Sequence, residues 1–235
     1  MPMFYPFFWD STYILIVIGL VISLLAQGYV RRTFGKYSQV QSRSGYTATE
    51  AAVYILERAG IHDVRVERIR GDLTDHYDPR NKVLRLSDST ADSTSVAAIG
   101  VAAHEVGHAI QDQVGYIPLR LRSGLVPAAN IGQSISVPML LIGFFLGEAG
   151  GFLIQLGLLL FSLTFIFQVV TLPVEFNASS RALQMLDGGV LKREEVPQAR
   201  KVLNAAALTY IAAAIMSFLQ LLRLVLLFGG GRRRD

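Results

Sequence analysis

The chain contains no cysteine, which excludes a disulfide framework and any thiolate metal site. Histidine is scarce, with four residues, and tryptophan occurs once. Charge is scarce as well: 17% of the 235 residues are charged and 51% are hydrophobic, too apolar a balance for one or two soluble domains. The shortage is local. Ser11 to Val30, Ser123 to Gly147, Ala149 to Val174 and Val202 to Leu222 carry no charged side chain, and each is long enough for a helix to cross a bilayer core, which takes about 20 residues. Those windows exclude a soluble enzyme. The stretches between them, near normal in charge, exclude a bare bundle of membrane helices. The net charge of +4 does not point to nucleic acid, because Lys and Arg gather only at the flanks of the windows and in a short tail.

No Lys or Arg stands in Met1 to Asp10 ahead of the first apolar run, which is the wrong start for a cleavable secretory signal. Arg31, Arg32 and Lys36 follow that run, and Arg120 and Arg122 precede the second window, so the positive-inside rule places both flanks in the cytoplasm. Ser11 to Val30 then reads as an uncleaved anchor entering from outside, with Trp9 and Tyr29 at the interfaces. Windows two and three are separated only by Glu148, within a turn containing Gly147, Gly150 and Gly151, and read as a tight hairpin whose tip faces outward. The fourth window fits less well, since a full crossing leaves Arg232, Arg233 and Arg234 outside and Arg223 in hydrocarbon. Five basic flanking residues against three favour this orientation. Asn130, Gln133, Ser134 and Gln168, inside the windows, are expected to tie helices together.

Between the first two windows lies a soluble segment. Thr47 and Glu50 have capping-box spacing ahead of an apolar series, and Gly60 is placed to end that helix. Val64 to Ile69 and Lys82 to Leu86 read as two strands joined by a long turn through Gly71, Asp78-Pro79 and Asn81. Ser93 or Thr94 can cap a further helix through Val96, Ile99, Val106 and Ile110. That helix carries His104-Glu105-Val106-Gly107-His108. Two histidines four apart on a helix stand on one face, one turn apart, where they can share a zinc ion, while Glu105, about 100° around, can reach a zinc-activated water rather than the metal. A carboxylate so placed accepts a proton from the water and passes it to a leaving amine. Two histidines packed in a core would be the bland alternative, but the motif falls on a predicted helix, where the mechanism needs it.

A catalytic zinc usually takes three protein ligands. Position 114, where a third histidine would stand in the metzincin arrangement, is Val114. Asp112 is two turns from His104, about 11 to 12 Å along the axis, too far for one ion to span. Glu148 falls at the outward hairpin tip. Glu175 is the best candidate, read as beginning a helix after Pro173 where the third window ends; a carboxylate favouring a helix dipole is its ordinary alternative. His62 and His76 remain open. Asp187 is the rival, because Leu186-Asp187-Gly188 is like the short signature by which site-2-type intramembrane proteases supply an Asp ligand, although Gly188 and Gly189 also suit a plain helix stop.

Three stretches together resemble a family: residues 74–79 (Thr-Asp-His-Tyr-Asp-Pro), the run from Val101 to Gln111 around the histidines, and Leu172-Pro173-Val174-Glu175-Phe176-Asn177-Ala178-Ser179. They look like the bacterial membrane-bound neutral zinc metallopeptidases called YugP-like, and the likeness covers nearly the whole chain. It implies a zincin-type peptidase with His104, His108 and Glu175 on zinc and Glu105 as base. The plan is similar to membrane peptidases of the HtpX type, which have an Asp four residues beyond the ligand Glu, where this chain has Ser179; Asn177 likewise stands where many YugP-like chains have Asp. An amide there can still orient a ligand by hydrogen bonding.

The sequence therefore predicts a mainly α integral membrane protein, with about four transmembrane helices plus a small α+β zincin-like catalytic domain. The expected segments are an anchor (1–36), a cytoplasmic catalytic segment (37–120), a transmembrane hairpin (121–174), a helix with the third ligand and a surface loop (175–201), and a membrane helix with a basic tail (202–235). The expected function is a multi-pass membrane zinc endopeptidase working at the cytoplasmic face, one Zn2+ per chain, with protein or peptide substrate and the lipid bilayer as partners and no nucleic acid. Arg181, or else His76 or Tyr77, is expected to stabilise the tetrahedral oxyanion, with a solvated or lipid-facing charge as the ordinary alternative for Arg181, and the strand at Lys82 to Leu86 could pair with an extended substrate. The competing readings are a site-2-type intramembrane protease using Asp187 and a non-catalytic zinc-stabilised scaffold. Oligomeric partners have no sequence signal.

Overall fold

The computed structural model describes residues 10–229; Trp9, Arg232, Arg233 and Arg234 lie outside them. The elements run α1 (Tyr13–Tyr37), α2 (Ala48–Arg58), β1 (Arg65–Ile69), β2 (His76–Asp78), β3 (Val83–Ser87), α3 (Val96–Gln113), α4 (Ile117–Phe145), α5 (Gly151–Met185) and α6 (Val196–Phe228). A 3-10 turn, Gly147–Gly150, joins α4 to α5. The chain is mainly helical, and four helical stretches, α1, α4, α5 with its flanking turns, and α6, are long and apolar enough to cross a membrane. It divides into two compact units, one holding the described residues up to Ala26, Leu121–Thr171 and those from Tyr210 on, the other Gln27–Arg120 and Leu172–Thr209.

The first unit contains most of the uncharged windows. Ile14, Leu20, Leu24 and Leu25 on α1 are exposed, as expected of a helix whose solvent is hydrocarbon. α4 and α5 approach closely, since a Cβ on Gly132 would stand 2.3 Å from the Leu160 carbonyl oxygen, the small-residue packing common between membrane helices. Thr164 Oγ1 donates to the Ala129 carbonyl at 3.3 Å. The side chains of Asn130, Gln133, Ser134 and Gln168 make no hydrogen bond among the described residues, so the tie between these helices is Thr164 and backbone contact rather than those side chains. Arg223, an awkward charge in an apolar helix, is buried, with Nη2 3.3 Å from Asp10 Oδ2 and its guanidinium 5.4 Å from the centre of the Tyr13 ring.

The second unit is the α+β part. Thr47 Oγ1 accepts from Glu50 N at 3.2 Å and Glu50 Oε2 accepts from Thr47 N at 2.8 Å, closing the capping box. Gly60, at φ +70°, follows the end of α2. The sheet has three strands in the order β1-β3-β2, with β1 parallel and β2 antiparallel to β3. Strand β2 falls inside the stretch read as a turn, because three residues before a proline are too short to display a period. Its presence corrects one expectation: β3 has neighbours on both edges, so it cannot take an added substrate strand. The cap of α3 is Ser95, whose Oγ accepts from Ala98 N at 3.2 Å, rather than Ser93 or Thr94. Ser42 N donates to the Thr94 carbonyl at 2.9 Å and Gln41 bridges Ser95, which keeps those residues extended until the helix begins.

One core unites the elements of this unit. Ile55 of α2, Leu84 and Leu86 of β3, Ile99 and Val106 of α3 and Leu186 beyond α5 are at most 1% exposed and pack in a single cluster, each contributing about 1.5–3 kcal/mol by burial. Helix α5 runs unbroken through Pro173, so Glu175 lies mid-helix and not at a helix start as the sequence suggested. A proline costs a helix one donor and leaves one carbonyl over, and membrane helices tolerate this where neighbours make up the loss. The helix ends in a π-helical turn, Leu186–Val190, where Gly189 takes φ 117°.

The tightest contact is between α3 and α5. A Cβ on Gly107 would lie 2.5 Å from the Ala178 carbonyl oxygen, whereas one on Gly100 would meet only the Ala199 Cβ at 3.5 Å. Gly107→Ala must push two backbones apart and should cost about 1–3 kcal/mol, as overpacking generally does, while Gly100→Ala should leave stability near that of the parent. Thermal unfolding of both variants in detergent checks this, and an unchanged Tm for Gly107→Ala would contradict it.

Candidate metal centre

Helix α3 presents His104 and His108 one turn apart, with ring centroids 4.8 Å from each other and an edge-on arrangement. Helix α5 brings Glu175, 2% exposed, to the same point. His104 Nε2 lies 3.1 Å and His108 Nε2 3.6 Å from Glu175 Oε2, and one donor atom from each of the three residues falls within 4.8 Å of the others. Four ligands at the usual zinc distances of about 2.0–2.2 Å stand roughly 3.3–3.6 Å apart in a tetrahedron. Two imidazoles and a carboxylate with this spacing can hold such an ion. The charge distribution also suits a cation. Burial disfavours the charged form of His108, but the hydrogen bond to Glu175 and the nearby Glu105 and Glu175 carboxylates outweigh it and raise the His108 pKa above its ordinary value.

Each imidazole is held from behind. His104 Nδ1 is 3.1 Å from Ser179 Oγ, and His108 Nδ1 is 3.0 Å from Gln111 Oε1. Gln111 is fully buried, and its Nε2 donates to the Val174 carbonyl at 2.8 Å and to Asn177 Oδ1 at 3.0 Å. With both amide protons committed to acceptors, the oxygen is what faces His108. His108 therefore carries a proton on Nδ1, and Nε2 is the ring atom that faces Glu175. Asn177 Oδ1 accepts a second hydrogen bond from Arg181 Nε at 2.8 Å. The chain Arg181, Asn177, Gln111, His108 orients a ligand through three side chains, an arrangement that commonly governs metal affinity. Gln111 was present in the sequence motif without a role; its position three residues after a histidine, on the same helical turn, is the signal that points to it.

Glu105 is 9% exposed, and its side chain makes no hydrogen bond among the described residues. Asp112 is engaged elsewhere, accepting from Tyr77 Oη at 2.8 Å and Lys82 Nζ at 2.7 Å. Burial, then the hydrogen bond to Asp112, raises the Tyr77 pKa; the same carboxylate raises that of Lys82. His76 sits on β2, its Nδ1 2.9 Å from the Thr74 carbonyl and its Nε2 3.4 Å from Arg85 Nη1. It is not among the gathered donors, nor is His62, which is exposed beyond α2. Asp187 is exposed in the turn after α5. It follows Glu175 by twelve residues, about 18 Å of helix rise, so one ion cannot take both.

A family model described as "Putative neutral zinc metallopeptidase" matches residues 12–229. The chain is 47% identical over 219 residues to the Bacillus subtilis (strain 168) protein named "Putative membrane protease YugP", covering 93% of this chain and 96% of that one. No solved structure matches.

Two sets of variants test the geometry by zinc content per folded protein. Glu175→Ala should lower zinc affinity by far more than the roughly 10–100-fold of a supporting change, and Asp187→Ala should leave it intact; the reverse ranking would move the third ligand to Asp187. Gln111→Leu should fall in the supporting range, and wild-type zinc affinity in that variant would remove Gln111 from the site.

Proposed function

The chain belongs to this family of zinc metallopeptidases, and from that premise we propose that it is a membrane-bound zinc endopeptidase. His104, His108 and Glu175 hold one zinc ion per chain, and Glu105 is the general base. When bound there, zinc supplies Lewis-acid polarisation and makes water more acidic. Glu105 takes the proton of the attacking water and delivers it to the leaving amine, a step worth typically 10²–10⁴-fold. Ser179 and Gln111 keep the two imidazole rings aimed so that neither has to reorganise during the reaction. Arg181 is assigned to the developing oxyanion, since only its Nε is spent on Asn177; His76, held by Thr74 and Arg85, is the second choice.

The observation that carries this reading is Glu105, a 9% exposed carboxylate whose side chain makes no hydrogen bond among the described residues, next to His104 in sequence. A structural zinc site in a scaffold has no use for such a group, because His104, His108 and Glu175 would hold the ion without it. The segment plan follows from the uncharged windows: an anchor at 1–36, catalytic residues at 37–120, a hairpin at 121–174, the ligand-bearing stretch 175–201, and a membrane helix from 202. Arg31, Arg32, Lys36, Arg120 and Arg122 favour a cytoplasmic active side in a multi-pass cell-membrane protein. Substrates on that side are misfolded or membrane-associated polypeptides.

Glu105→Gln should retain zinc and lose casein cleavage by about 10²-fold or more; sustained turnover in a zinc-loaded variant would refute the base. For sidedness, Gly151, where a Cβ meets nothing within 4 Å, and exposed Asp72 are replaced singly by cysteine. An impermeant thiol reagent on intact cells should label the cysteine at 151 and spare the one at 72. The opposite pattern would place the active side outward.

A further inference from the structure

We propose that the groove between the C-terminal part of α5 and the start of α6 binds acidic stretches of polypeptide substrate, a reading that rests on the peptidase function above. The groove has a volume of about 540 Å³. Its α5 wall starts at Phe176 and, from Ser179, the residue whose Oγ lies 3.1 Å from His104 Nδ1, continues to Asp187. Eight residues of helix rise about 12 Å, the span of about four residues of extended peptide. One end of the groove thus borders the ligand cluster, where a bound chain would be presented to it. A lone phosphate or lipid headgroup would leave most of that length empty.

The lining fits a peptide in kind as well as in size. Leu183 and the half-exposed Phe176 supply apolar surface, and Gln184 and Asn204 supply amides that can pair with backbone N–H and C=O groups. Arg193 and Arg200 enter from the α6 side, and neither makes a hydrogen bond or an ion pair among the described residues. Asp187 is the acidic residue of the lining, so the groove carries one positive charge in excess. Two guanidinium groups facing one groove repel each other, and a carboxylate placed between them relieves that repulsion while accepting charge-assisted, fork-shaped hydrogen bonds. Substrate choice would then follow glutamate and aspartate near the scissile bond.

The test measures binding apart from catalysis, using zinc-loaded Glu105→Gln protein in neutral detergent. A fluorescein-labelled glutamate-rich peptide and its glutamine counterpart are titrated by anisotropy. The acidic peptide should bind about tenfold more tightly, equivalent to about 1.4 kcal/mol, and the preference should shrink as salt rises. Arg193→Gln with Arg200→Gln, in the same background and with zinc content unchanged, should erase it. Equal binding of the two peptides, or a preference that survives the double substitution, overturns the proposal. Displacement of the acidic peptide by phosphatidylglycerol micelles but not by phosphatidylcholine micelles would assign the groove to anionic lipid and overturn it too. The two readings fail separately: casein cleavage by the wild type without an acidic preference sinks the groove alone, whereas an acidic preference without wild-type cleavage sinks the peptidase reading alone.

Discussion

The backbone contact between Gly107 and Ala178 is the constraint on which the rest of the site depends. Two histidines on one helix and a glutamate 71 residues from the first of them on another meet only if the helices approach more closely than side chains normally allow. Glycine at 107 removes the obstacle on α3 and alanine at 178 minimises it on α5. Once the backbones touch, little adjustment is left. Glu175 lies one turn before Ala178 and so faces the imidazoles, while Ala182 and Leu186 carry the same buried stripe on into the core. The glycine within the histidine motif is thus a packing residue, and the distance between its neighbours' ligand atoms and Glu175 follows from it.

Around the cluster, the chain uses neutral groups to steer the two imidazoles. Ser179 stands behind His104, and Gln111 behind His108, with Asn177 behind Gln111. A carboxylate in any of these places would add negative charge and strengthen ligand basicity; a hydroxyl and amides give orientation without it. The negative charge near the donors is then supplied by Glu175, which lies against both imidazoles, and Glu105, whose carboxylate acts on His108 through its charge. Arg181 ends the chain of hydrogen bonds and supplies the positive charge that the amides lack.

Much of this was legible in the sequence because it depends on local period and spacing. The four uncharged windows, the Thr47 capping box, the helix around His104 and the preference for Glu175 over His62, His76 and Asp187 all rest on residues close together in the chain or on a census of a rare residue type. What escaped was set by distant contacts. Strand β2 exists because β3 offers it an edge, and nothing in a three-residue stretch announces that. Pro173 looked like a boundary, yet α5 passes through it, since a missing donor is a small loss in a helix with so much packed surface. Gln111 gained its role from Val174 and Asn177, more than sixty positions away, a relation that no periodicity encodes.

The three donors are not made together. A ribosome finishes His104 and His108 within a few residues of each other, then must add the whole of α4 and most of α5 before Glu175 appears, several seconds later at about 5–20 residues per second. The closest helix contact, Gly107 against Ala178, has the same order built in. During that interval the growing polypeptide has an incomplete set of donors, and the hairpin that separates them is the part that must enter the bilayer. Biogenesis therefore sets a sequence of events: the α4–α5 hairpin is synthesised first, and only afterwards can the site close.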